Sequence, residues 1–420
     1  MTERVFRISS VFPDPPICSE KLPNRAPDLA LTGATVYPAP AERPLRDATV
    51  VIRSGRVAEV RSVATADAFP GVTVLDCSGC TITAGFWNTH VHFHERKWAD
   101  AAQIPAPELQ HQLDELIRFG FTSVFDLSSR LSNTRALRDR IERGEVRGPR
   151  ILTTGEGLIP LGGAPSPEVF RALGLMETAL SEVSDAHAAR ERARELLDAG
   201  VDALKLFVSS PAGGRLEGNA MRAAVEAAHA AGKLVFAHPN DAADVHEALD
   251  AGVDVIAHTT PRSGAWDDAL LEQMESRAVA LIPTLLVWKS LMRHDRLSIR
   301  ERLVTMAVEQ LRNWMEREGC VLFGTDLGAV EYDPADEYTL MAQAGATFPA
   351  ILASLTTAPA QRIDADATRA EVRAGHCADL TVLTGDPAID IAALSSVRYT
   401  IRAGEVIYAE PTSRTPNHRA

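Results

Sequence analysis

Between residues 85 and 360 the chain alternates two hydrophobic patterns. Runs with apolar positions three and four apart, such as NAMRAAVEAAHAAG and ERLVTMAVEQLRNWMEREG, predict amphipathic helices. Short apolar runs follow them in RFGFTSVFD, DAGVDALK, AAGKLVFAH, DAGVDVIAH and REGCVLFGTD, and these predict buried parallel strands. A glycine stands at each junction (Gly120, Gly200, Gly232, Gly252 and Gly319), where a helix C-cap belongs. The repeating strand–helix unit predicts an α/β fold, a (β/α)8 TIM-type barrel.

The two ends read differently. Residues 28–84 and the stretch from AGHCADLTVLTGDP to VRYTIRAGEVIYAE are β-branched runs punctuated by Gly, Pro and Asp, without helical spacing. Together they predict a small composite β-sandwich domain formed by both chain ends. The expected division is 1–84 for its N-terminal part, 85–361 for the barrel and 362–420 for its C-terminal part.

Composition narrows the function. The 420 residues are 45% hydrophobic and 24% charged, ordinary for a globular protein with a large core. The net charge of -13 disfavours nucleic acid and anionic membranes and points to a small-molecule substrate. The five cysteines, Cys18, Cys77, Cys80, Cys320 and Cys377, form no disulfide framework and read as reduced thiols. Cys77 and Cys80 make a C-x-x-C without a second pair, which suits a turn between strands better than a zinc knuckle. The opening residues carry no signal-peptide core, and AVALIPTLLVW at 278–288 is too short and Pro-interrupted to span a bilayer. The expected location is the cytoplasm.

The chemistry lies where strands end. Asp126, Lys205, His238, His258 and Asp326 close apolar runs, and that end of a barrel strand carries catalytic groups. In GFWNTHVHFHERKW, residues 85–98, His90 and His92 share one strand face by period-two alternation. With His238, His258 and Asp326 they form a nitrogen and carboxylate donor set suited to Zn²⁺, or to Mn²⁺, Co²⁺ or Fe²⁺. In DALKLFV, Lys205 alternates onto the barrel interior with Ala203 and Phe207. A buried ammonium beside cations is disfavoured, so its pKa falls and the neutral amine can add CO2. The carbamate would bridge two metals about 3.5–4 Å apart; the alternative is a lysine paired with an acid such as Asp326.

The motifs TAGFWNTHVHF, DALKLF, VFAHPN, DVIAHTT and VLFGTDLG, in this order, and the tail LTTAPAQRI…AGHCADLTVLTGDP resemble the amidohydrolase superfamily. Within it the resemblance is to the imidazolonepropionase-like group that includes binuclear prolidase and Xaa-Arg dipeptidase enzymes. It implies that His90, His92 and Asp326 bind the more buried metal, that His238 and His258 bind the second, and that carboxylated Lys205 bridges them. The implied reaction is hydrolysis of a C–N amide bond in an N-acyl amino acid, dipeptide or cyclic amide by a metal-bridging hydroxide. Asp326 would be the general base and then the proton donor to the leaving nitrogen.

His94 lies beyond the matched motif and is expected at the substrate mouth or in a structural hydrogen bond. Trp87, Trp98, Arg262 and Lys289 are candidates for the pocket, an aromatic wall with cations for a carboxylate. Ala164 follows Gly162 and Gly163 where dipeptidase-like relatives commonly carry Gly-Gly-His, which weakens transfer of dipeptide specificity. A competing reading is a mononuclear deaminase or imidazolone-type ring hydrolase of the same superfamily. Such deaminases often carry H-x-x-E after the fifth strand, whereas HPND offers Asp241. A non-enzymatic relative is expected to lose ligands, and here all six positions are filled. The resemblance also implies a homo-oligomer.

Overall fold

The computed structural model describes residues 27–62, 71–166, 180–210, 213–291, 296–328, 333–364 and 367–411. Five strands come first: β1 (Leu29–Val36), β2 (Leu45–Arg53), β3 (Arg56–Arg61), β4 (Thr73–Asp76) and β5 (Cys80–Ala84). Ten follow among the helices. They are β6 (Phe86–Val91), β7 (Phe121–Asp126), β8 (Arg150–Thr153), β9 (Gly157–Pro160), β10 (Leu180–Val183), β11 (Leu204–Phe207), β12 (Val235–His238), β13 (Val255–Ala257), β14 (Ala280–Ile282) and β15 (Cys320–Val321). Three close the order: β16 (Leu380–Thr384), β17 (Val397–Arg402) and β18 (Glu405–Ala409).

Parallel pairing runs β6–β7–β8 and, separately, β11–β12–β13–β14–β15. Two backbone seams join these sets into the expected barrel. At one, Asp202 N donates to Thr153 O at 2.8 Å, before β11. At the other, Thr89 N donates to Phe323 O at 2.8 Å, Asp326 N to His90 O at 2.9 Å and His92 N to Leu327 O at 2.7 Å. The pair β9–β10 is an addition to this ring, joined to β11 through Leu158 and Leu206.

Strand alternation sorts the side chains into two layers. Phe125, Ala203, Phe236, Val255, Ala280, Ile282 and Leu322 form one buried cluster inside the ring. Leu204, Leu206 and Val208 belong to the larger cluster between strands and helices. Lys205 therefore shares the inner face with Ala203, as the alternation in DALKLFV requires.

The helices start and stop on local signals. Asp185, Asp241, Asp267 and Thr347 cap N-termini with their side chains. Gly252 caps Ala242–Ala251 at φ 93°, the left-handed geometry expected of it. Gly319 is a different case. The left-handed residue is Glu318 at φ 57°, and Gly319 is small because a Cβ there would collide with the Trp314 ring.

The chain ends meet in one eight-stranded sheet of order β18-β17-β16-β5-β1-β2-β3, with β4 beside β1. Antiparallel pairing of β5 with β16 joins the N-terminal strands to the C-terminal ones. Its core includes Leu31, Val50, Ile52, Ile82, Leu380 and Ile401. It abuts the barrel at the strand starts, away from their C-terminal ends: Thr381 Oγ1 donates to Gly120 O at 2.8 Å and Thr400 Oγ1 to Ile117 O at 2.6 Å. Cys77 and Cys80 flank the β4–β5 turn as buried free thiols, and Cys320 is free. Cys377 is disulfide-bonded, which corrects the expectation of reduced thiols throughout; Cys18 lies outside the described residues. Among the described residues no helix is long and apolar enough to cross a membrane.

At the strand-start end, His229 Nε2 lies 2.9 Å from Asp254 Oδ2, which also accepts from Val235 N at 2.8 Å. The hydrogen bond to Asp254 raises the His229 pKa, with burial opposing it. The folded value lies above the unfolded one, so this contribution is complete below about pH 6.5 and is lost as pH rises through the folded value. Urea unfolding between pH 5.5 and 8.5 should show the stability of the wild-type protein relative to His229→Gln falling with rising pH, since the difference isolates His229 from the buried histidines of lowered pKa. A difference that stays constant with pH would remove His229 from the pH dependence.

Candidate metal centre

The site grows from β6 and the segment that closes the ring against it. Asn88, His90 and His92 have the same parity, so they face one way. Asn88 Nδ2 donates to Thr325 Oγ1 at 2.8 Å, and Asn88 Oδ1 accepts from Thr325 N at 3.2 Å and His90 N at 3.3 Å. This buried amide fastens the first strand to the last segment beside both histidines and Asp326. Gly324 permits the close approach, because a Cβ there would collide with Ile282 and with His90 Cβ.

His90 Nε2 and His92 Nε2 stand 3.3 Å apart, and each faces Asp326 Oδ1, at 3.1 and 2.8 Å. Donor atoms around a tetrahedral ion bound at about 2.0–2.1 Å lie about 3.3 Å apart. The triangle matches that spacing. His258 adds a donor, since His90, His258 and Asp326 bring ligand atoms within 4.8 Å of one another. Burial pushes His90 down to about 3 and His258 well below the usual histidine value, so both rings are neutral near pH 7 and carry a free lone pair. Burial opposes ionisation of Asp326, yet hydrogen bonding to the His90 and His92 rings holds the carboxyl well below the usual range. Neutral imidazoles and an ionised carboxylate are the protonation states that a divalent ion requires.

Lys205 closes the set. It is 1% exposed, and its Nζ has no hydrogen-bond partner among the described residues. The expected alternative, an ion pair with Asp326, is not formed. Burial lowers its pKa to about 7, against the pull of Asp326. His238 ends β12 with its ring centroid 4.5 Å from that of His258, and His258 lies 4.7 Å from His90. Burial, then the charge of Lys205, pushes His238 down to about 4. The donor set and the partnerless amine fit divalent metal binding.

Three residues here hold left-handed backbone: His258 at φ 77°, Thr284 at φ 44° and Asp326 at φ 59°. Such geometry in residues with a Cβ costs roughly 1–3 kcal/mol each and persists only where the surroundings impose it. Thr284 Oγ1 meets His258 Nδ1 at 2.6 Å, which leaves Nε2 to face the donor cluster. Asp126, grouped by the sequence with the site, serves the scaffold instead. Its carboxylate accepts from Ser129 at 2.5 Å, Thr134 at 2.8 Å and Thr153 at 2.9 Å.

The substrate-pocket candidates separate. His94 stacks on His92 at 4.7 Å, and its Nε2 has no hydrogen-bond partner among the described residues. Trp87 does not line a mouth: it is 1% exposed, and its parity turns it away from His90 and His92. Trp98 is equally buried, packed edge-on against Phe93 at 5.1 Å. Lys289 pairs with Asp336 at 2.6 Å on the surface. Arg262 is exposed, just past His258. Asn88 and Thr284 were missed in the sequence. The first shares parity with His90; the second ends the apolar run LIPT just after β14.

Known proteins share this fold. A putative prolidase from Bifidobacterium longum superposes with a TM-score of 0.76 at 26% identity, over 93% of this chain and 97% of that one. An Xaa-Pro dipeptidase with bound methionine gives 0.76 at 21%, over 91% and 100%, a likeness of fold. Among curated proteins, adenine deaminase 2 of Bradyrhizobium sp. (strain ORS 278) is 34% identical over 109 residues, which is 26% of this chain and only 17% of that enzyme. The family model described as amidohydrolase family matches residues 81–407, from β5 through β18. A match of that extent spans the barrel and the returning C-terminal strands, and the chain belongs to the amidohydrolase family.

Proposed function

We propose that the chain is a binuclear metal-dependent hydrolase that cleaves a C–N amide bond of a small substrate: an N-acyl amino acid, a dipeptide or a cyclic amide. The carrying observation is a buried Lys205 amine without a hydrogen-bond partner, next to a His90–His92–Asp326 triangle of metal-ligand dimensions. Two divalent ions, Zn²⁺ or in the same geometry Mn²⁺, Co²⁺ or Fe²⁺, would supply Lewis acidity and an acidified water. His90, His92 and Asp326 would hold one, and His238 and His258 the other. The neutral Lys205 amine would add to CO2, forming an N–C bond and releasing a proton, and the carbamate would supply anionic oxygen donors for the ions. Asp326 Oδ1 faces the histidines, so Oδ2 takes the proton of the attacking water and passes it to the leaving nitrogen. Arg262 and His94 are the remaining candidates to orient a substrate.

The second reading, a mononuclear deaminase, draws on the partial likeness to adenine deaminase. It leaves the partnerless Lys205 unexplained. We further propose that residues 1–84 and 362–420 make one composite unit beside the barrel of 85–361. We also propose that the protein is a cytoplasmic homo-oligomer that uses neither nucleic acid nor membrane, a location that the disulfide at Cys377 does not favour.

Metal analysis of protein purified with and without bicarbonate should give two ions per chain, with loading enhanced by bicarbonate. The loaded protein should hydrolyse members of a panel of N-acyl amino acids, dipeptides and lactams. One tightly held ion, indifferent to bicarbonate, together with deamination of a purine, would overturn the binuclear reading.

Replacing Lys205 with methionine removes the buried amine while keeping its length. In metal-free protein Lys205→Met should stabilise the fold by roughly 1–3 kcal/mol, the cost of an unsatisfied buried polar group. Urea unfolding measures this, and metal analysis of the same variant should show fewer ions per chain. A destabilised metal-free variant would mean that the amine has a structural partner.

A further inference from the structure

Thr284 immediately precedes the helix Leu285–Leu291, the position from which a threonine ordinarily caps the first backbone N–H groups. Its hydroxyl does something else: it meets His258 Nδ1 at 2.6 Å. The helix start is satisfied from elsewhere. Leu285 N donates to Glu337 Oε1 at 2.9 Å and Leu286 N to Glu337 Oε2 at 2.7 Å. Glu337 is 0% exposed, and it reaches this helix from the helix Ala335–Gln343.

Burial pushes the Glu337 carboxyl up to about 8, so it is a costly cap, and the left-handed backbone of Thr284, φ 44°, keeps that residue out of ordinary cap geometry. Two further contacts hold the same elements in place. Lys289 and Asp336 pair across the two helices at 2.6 Å, and Trp288 Nε1 donates to Thr259 Oγ1, next to His258, at 3.0 Å.

We infer that Glu337 is a positioning residue for His258: by taking over the cap of Leu285–Leu291 it frees the Thr284 hydroxyl to fix the His258 ring. This rests on the metal-centre reading proposed above. Without the Glu337 acceptors, nothing holds Thr284 out of cap geometry, and its hydroxyl turns to the freed N–H of Leu286. His258 then loses the partner that sets its tautomer and its ring orientation. Partners of this kind are worth about 10–100-fold in metal affinity.

The test is a double-mutant cycle in the full chain with Glu337→Gln and Thr284→Val. Zinc affinity is read by competition with a chromophoric chelator, and folding is checked by thermal unfolding of each variant. Each single change should weaken one of the two zinc equivalents about 10-fold, and the double variant should be no weaker than either single one, because both act through one contact. Wild-type affinity in Glu337→Gln, or losses that multiply to about 100-fold in the double variant, would overturn the inference. In metal-free protein, ¹⁵N-histidine spectra report the contact without any ion: the His258 ring signals should move alike in both single variants. An unmoved His258 in Glu337→Gln would overturn the inference even if zinc binds, whereas wild-type protein that takes up no zinc would overturn the metal reading alone.

Discussion

One carboxylate oxygen shared by two imidazole nitrogens holds the first barrel strand against the last. Asp326 Oδ1 stands within 3.1 Å of both His90 and His92 Nε2. The backbone repeats the bond, with Asp326 N on His90 O. Ring closure and assembly of the donor set are therefore the same event. A barrel that failed to close here would separate the histidines from the carboxylate, and a displaced Asp326 would leave a buried charge without its hydrogen bonds. The Asn88 amide, bonded to both sides of this seam, makes the register of closure specific.

Around that seam the strained residues lie next to rigid elements. His258, Thr284 and Asp326 hold left-handed backbone just beyond β13, β14 and β15, and beneath them the ring is filled by Phe125, Phe236, Ile282 and Leu322. The close-packed interior gives these residues no room to relax toward commoner geometry. Preorganisation follows, because the donor atoms already stand at ligand spacing and need little movement to accept an ion.

Much of this arrangement was legible in the sequence because it is local. Period-two alternation set His90 beside His92 and turned Lys205 inward, and apolar runs ending in His238 and His258 marked the strand ends. The same rule, applied to Trp87, would have turned it away from the site, since it lies an odd number of positions from His90. Other errors had non-local causes. Lys289 looked like a free cation until Asp336, 47 positions downstream, was seen to pair with it. The run VLFGTD looked like one strand, yet β15 stops at Val321, because Phe323 N leaves the ladder and donates to Ser354 O. Glu337 offered no local signal at all: its role depends on a helix reached from half a hundred residues away in the chain.

Lys205 is where stability and chemistry part. An ammonium at this position would be buried with Asp326 as its main countercharge, already bonded to two histidines, and no hydrogen bond compensates its desolvation. A core selected for stability alone would place an aliphatic side chain there, since the neighbouring inner positions Ala203 and Phe236 are apolar. The physical consequence of keeping the lysine is an amine whose pKa lies near neutrality. It is thus available as a nucleophile under ordinary conditions, where a solvent-exposed lysine would be almost wholly protonated. The barrel sets this nitrogen near His90, His238, His258 and Asp326 rather than against a single neutralising partner.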